Sequence, residues 1–125
     1  MTEAESAVVI DLAKGLLELM SQTDPEWTRA FFRFAVQPGR FGSVASYVAS
    51  AKVTIIDPFC SIGFFESMNA KCARLMSLLG KEAGIVLLSV GCDLSYKIDF
   101  EFADLDRWRI TKLNGGTGIP DGADA

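Results

Sequence analysis

The chain has 125 residues, half of them hydrophobic and 22% charged, which suits one folded domain with a core of its own and is far from the composition of a disordered chain. Sixteen carboxylates against twelve Lys and Arg give a net charge of −4 and a pI near 4.7. This argues against non-specific binding to DNA or RNA, an attraction that comes from basic side chains neutralising phosphates, and it favours a cationic partner.

The first residues, Met1-Thr2-Glu3-Ala4-Glu5, are acidic where a secretory signal is basic, and Asp11 and Lys14 interrupt the apolar stretch after them. Neither a signal peptide nor a membrane span is expected. Cys60, Cys72 and Cys92 are odd in number and widely spaced, unlike a disulfide framework, so buried thiols in a reducing cytoplasm are expected. Val8, Val9, Leu12, Leu16, Leu19 and Met20 recur at helical spacing and predict an amphipathic helix over residues 4–21, ended by Asp24-Pro25.

From Trp27 the period changes to two. Thr28, Ala30, Phe32, Phe34 and Val36 share one face against Arg29, Phe31 and Arg33, which predicts a half-buried strand. Gln37-Pro38-Gly39-Arg40 suits a type II turn and an antiparallel return from Val44 to Ile56. Ser61 is the expected N-cap of a second helix lined by Phe65, Met68, Cys72, Leu75, Met76 and Leu79, with Gly80 and Gly84 bracketing its end. Ile85 to Val90 is a continuous apolar run of the kind buried on both faces. After Gly91-Cys92-Asp93, the residues Leu94, Tyr96, Ile98, Phe100 and Phe102 alternate with Ser95, Lys97, Asp99 and Glu101, so one face packs and the other meets water. Residues 107–113 are expected to add an edge strand. The resulting fold class is α+β: a two-layer, mainly antiparallel sheet with two helices, in the order helix, two or three strands, helix, two or three strands. Residues 1–113 form the single domain and residues 114–125 a flexible, Gly-rich acidic tail.

Few residues announce chemistry. The chain has no histidine, which removes the usual general base and zinc ligand. Gly115-Gly116-Thr117-Gly118 lacks the strand before and the helix after it that a phosphate cradle requires, so no nucleotide or other cofactor is expected. The strongest local feature is acidic. Asp93, Asp99, Glu101, Asp104 and Asp106 face one base, Lys97, across fourteen residues, and Asp99 and Glu101 share a strand face. Three readings fit these carboxylates: a solvated face, a docking patch for a basic partner, or a site for a hard metal. Phe31, Phe41, Phe59, Phe64, Trp27 and Trp108 fall outside the clear core periodicity. They are either buried beneath a helix on the second sheet face or exposed as interface anchors.

Tyr96-Lys97-Ile98-Asp99-Phe100-Glu101-Phe102, followed by Asp104-Leu105-Asp106-Arg107-Trp108, resembles a motif found late in the YezG-like immunity proteins of bacterial polymorphic-toxin and contact-dependent inhibition systems. The order of elements is similar as well. The resemblance implies a cytoplasmic antidote that binds a cognate toxin domain, commonly a nuclease, and blocks it. An acidic inhibitor gains steered association with a basic nuclease, so Asp99, Glu101, Asp104 and Asp106 are the expected partner-binding charges, with Trp108 as an anchor beside them. Two other functions compete. Small acidic proteins of this element order also resemble dimeric secretion chaperones for effector proteins, and a metal-dependent enzyme using Asp99 and Glu101 comes third.

Overall fold

The structure, a computed structural model, describes residues 1–122. Helix α1 runs Glu3–Thr23. Strands β1 (Trp27–Gln37), β2 (Arg40–Ala49) and β3 (Lys52–Ile55) follow, then helix α2 (Ile62–Leu78), β4 (Gly84–Gly91) and β5 (Tyr96–Glu101). The strands form one five-stranded sheet in the order β3-β2-β1-β4-β5, antiparallel at every pairing. The architecture is the expected α+β class, with both helices on one face of the sheet.

Local chemistry explains where the helices start and stop. The Thr2 hydroxyl accepts the Glu5 amide at 3.1 Å and the Glu5 carboxylate accepts the Thr2 amide at 3.0 Å, a reciprocal capping box. Helix α2 ends in a Schellman arrangement. Lys81 N–H donates to the Met76 carbonyl and Gly80 N–H to that of Ser77, both at 3.0 Å, and Gly80 supplies the left-handed φ of 70°. Ser61 holds the N-cap position of α2 as expected, although its hydroxyl makes no capping bond.

The main core lies between sheet and helices. Leu12, Leu16 and Met20 of α1 and Met68, Cys72 and Leu75 of α2 meet Phe32, Phe34, Val86 and Leu88. A Cβ on Gly15 would stand 3.1 Å from the Met68 sulfur, so glycine there lets the two helices approach. Phe32 meets Phe64 edge-on at 5.8 Å, which places Phe64 within this layer.

The return strand after β1 is two strands, because Ser50 and Ala51 turn the chain sharply with φ of 50° and 62°. Two consecutive left-handed residues make the type I′ geometry that Asn-Gly prefers. The double substitution Ser50→Asn, Ala51→Gly is expected to raise the unfolding free energy by about 1 kcal/mol or more, given the roughly 1–2 kcal/mol that a left-handed residue with a side chain costs. Urea denaturation checks this, and an unchanged midpoint contradicts it.

Among the described residues no α-helix covers the second sheet face. The chain after β5 covers it. Trp108 packs on Ile85 and Leu87 with Leu105 and Ala35 beside them, and Phe31, which points to this face, is fully buried. Residues 107–113 are therefore not an edge strand. Trp108 and Asn114 have φ of 60° and 53°, which breaks any extended run. The half-buried Arg33 side chain takes the carbonyls that a ladder would use, donating to Arg107 O and Leu105 O at 2.9 Å each. Residues 114–122 fold back along the same segment, with Gly118 N–H donating to Thr111 O at 3.0 Å and Asp121 N–H to Arg109 O at 2.9 Å. A Cβ on Gly116 would collide with Thr111 O, so that glycine serves close packing. Residues 123–125 of the expected tail lie outside the described residues.

Candidate functional site

β5 and the bend after it bring the five expected site residues to the face opposite the helices, but they do not arrive as a free acidic patch. Asp99 lies 3.5 Å from Lys97 Nζ. Glu101 Oε1 accepts Arg107 Nη1 at 2.7 Å, while its Oε2 accepts the amides of Ala103 and Asp104 at 3.1 and 3.3 Å. Asp104 caps the bend by accepting the Asp106 amide at 3.0 Å. Asp106 pairs with Arg109 at 2.6 Å.

These bonds act on titration in one direction. The Arg107 hydrogen bond, helped by the two amides, holds the Glu101 carboxyl below its ordinary value of 4.5. The Arg109 hydrogen bond lowers Asp106. A carboxyl depressed in the folded state stabilises it above the unfolded value, and that contribution disappears as pH falls through the folded value. Glu101→Gln is accordingly expected to lower the urea midpoint at pH 7, with the gap to wild type closing as pH drops below about 4.5 toward the folded value of Glu101. A gap constant from pH 7 to pH 2 overturns this assignment.

Trp108 is buried: the residue is 7% exposed, closed in by Ile85 and Leu87 below and by the Arg107 guanidinium 4.4 Å from the ring centre, so it packs on the sheet and does not protrude. The edge of the ring, with Arg29, Ser89, Lys97, Asp99 and Arg107, borders an open cleft of about 770 Å³ on this face. The signs along that cleft are mixed.

The cysteines divide. Burial pushes the Cys72 thiol up to about 12, which makes it an inert core residue. Cys60 and Cys92 are exposed, against the expectation that all three are buried, because both sit in the connections flanking α2 and β5. Among the described residues no group of three or more His, Cys, Asp or Glu stands where it would hold a metal ion, and no helix is long and apolar enough to cross a membrane.

The concentration of negative charge lies elsewhere. Residues 1–26 hold Glu3, Glu5, Asp11, Glu18, Asp24 and Glu26 against Lys14 alone, a net of −5 in a chain of −4, so the other 99 residues sum to +1. Glu3, Asp11, Glu18 and Glu26 are exposed. Asp11, Lys14 and Glu18 follow one another at helical spacing along the solvent side of α1. The last turn of α1 contains no base, although a helix C-terminus favours cations. A charge count taken element by element finds this surface in the sequence. Compared with protein-family models and with curated proteins, the chain matches none of them.

Proposed function

We propose that this protein acts by binding a cationic protein partner, as an immunity protein that neutralises a cognate bacterial toxin domain, most simply a nuclease, in the cytoplasm. The observation that carries the reading is the acidic surface of α1, and above all Glu18, Asp24 and Glu26 at its C-terminal end. Asp24, the C-cap of α1, and Glu26 just beyond it place negative charge at the negative pole of the helix dipole, with no base in the last turn to offset it. A positively charged partner offsets that charge and is drawn in by the same field. The carboxylates after β5 contribute less, because Arg107 and Arg109 already occupy Glu101 and Asp106.

The test is capture from a lysate of the source cells with the purified chain as bait, followed by co-production in a test bacterium. A one-to-one complex with a basic C-terminal domain of a large secreted protein is expected, together with growth arrest by that domain that this chain relieves. A partner whose toxicity is unaffected by the chain refutes the reading. The second reading, a dimeric secretion chaperone, is favoured by one feature, the exposed apolar row of Leu94, Tyr96 and Phe102 along β5. Capture of an intact secreted effector that is harmless to the cell selects it.

A further inference from the structure

β5 ends the sheet, and among the described residues no strand pairs with its outer edge. Its hydrogen-bonding phase follows from its one neighbour. Gly91 N–H donates to the Ser95 carbonyl at 2.9 Å, so by antiparallel alternation Ser95, Lys97, Asp99 and Glu101 turn their peptide groups toward β4. Tyr96, Ile98 and Phe100 turn theirs outward. The strand has no proline, its pairing with β4 runs without a bulge, and Tyr96 on its helix side and Phe102 just beyond its end are 49% and 40% exposed. An open edge of this kind pairs with another strand unless something blunts it.

We propose that the occupant is a second copy of this chain: β5 pairs antiparallel with β5 about a two-fold axis at Ile98, joining two five-stranded sheets into one. Charge and phase select that register. With Ile98 opposite itself, Tyr96 and Phe100 form hydrogen-bonded pairs across the seam, using the peptide groups that face outward. Lys97 then stands in a non-hydrogen-bonded pair opposite the second copy's Asp99, with Cα atoms about 4.5 Å apart, and the symmetry makes this contact twice. A slip of two residues one way sets Asp99 against Asp99, and its two Lys97–Glu101 contacts are weak because Arg107 already holds Glu101 at 2.7 Å; a slip the other way sets Lys97 against Lys97, so neither matches the two Lys97–Asp99 contacts. A slip of one residue puts the peptide groups out of phase and the side chains on the wrong faces. The same register lays Tyr96 beside the second copy's Phe100 on the helix side, covering the half-exposed Tyr96 ring. The two faces of one strand are thus self-complementary, as an isologous contact requires. Nothing in this pairing depends on the toxin reading, since α1 lies outside the seam.

Light scattering on the full chain is expected to give twice the monomer mass of 13.6 kDa. Lys97→Asp alone, and Asp99→Lys alone, each set like charges across the seam twice and are expected to weaken the dimer about tenfold or more. Mixing the two variants restores opposite charges at both contacts, so a heterodimer of near wild-type affinity is expected, as is a homodimer of the double variant Lys97→Asp, Asp99→Lys. A monomeric wild type overturns the proposal, whether the edge then stays open or takes a strand from another protein. So does a dimer insensitive to either single variant, and so does a mixture that stays monomeric, because loss without rescue reports damage to the fold.

Discussion

Trp108→Ala is expected to lower the unfolding free energy by about 3–5 kcal/mol, the range for removing a buried Trp or Phe side chain, while leaving partner affinity of the folded protein unchanged. The ring closes the face of the sheet that has no helix, over Ile85 and Leu87, and alanine leaves a cavity that only the chain after β5 is placed to fill. That segment is tied to the sheet by side chains and not by a strand ladder. The Arg33 guanidinium bonds to the carbonyls of Arg107 and Leu105, and the Arg107 guanidinium lies over the Trp108 ring, so loss of the ring loosens the frame around both arginines. The left-handed φ of 60° at Trp108 adds a cost that persists only while its surroundings over-determine it. Denaturant unfolding followed with affinity measured well below the midpoint separates the roles. A loss under about 1 kcal/mol together with weakened binding returns Trp108 to the anchor role and removes it from the core; the contrast rests on the gap between surface and core substitutions.

What the sequence made legible follows from which forces are local. Periodicity placed both helices and the phase of β1 and β5 because alternation and the 3.6-residue repeat are properties of the chain itself. It did not place Trp27. The register shift between Trp27 and Arg29 against Ala49 and Val48 inserts an extra residue, Thr28, and turns Trp27 onto the helix side with the main core, whereas strict alternation sets it opposite Phe32. Neither did alternation show that β5 is an edge. Phe102 and Tyr96 share the inner face with Ile98 and Phe100 but stay exposed, because the layer above ends before the edge does. The run Arg107 to Leu113 alternates well enough for a strand, but the long-range bonds from Arg33 decide its path. The acidic patch failed for a simpler reason. A window from Asp93 to Asp106 holds five carboxylates and one lysine, and extending it to Lys112 adds Arg107, Arg109 and Lys112, two of which pair with Glu101 and Asp106.

That redistribution of charge gives binding its sharpest expected effect. Glu18→Lys combined with Glu26→Lys should slow association with the cationic partner about ten- to a hundredfold at low ionic strength, the scale of electrostatic steering. The effect should shrink as salt shortens the screening length to about 8 Å near physiological ionic strength. The same change should leave the fold unharmed. Both positions are exposed, and a lysine near the C-terminal end of α1 gains from the dipole a few tenths of a kcal/mol, roughly what it loses by standing four residues from Lys14. Stability kept or slightly raised while binding falls is the signature of carboxylates held for a partner, since a residue held for the helix moves both quantities together. The matching reversal of Asp104 and Asp106 is the control. It removes one carboxylate already bonded to Arg109 and another turned to the backbone of the bend, so it should cost association less than the α1 pair does. If the order reverses, with the α1 variant associating at the wild-type rate and the Asp104 and Asp106 variant slowed, the docking surface lies beside β5 after all, and the carboxylates of α1 are solvated charges without a partner.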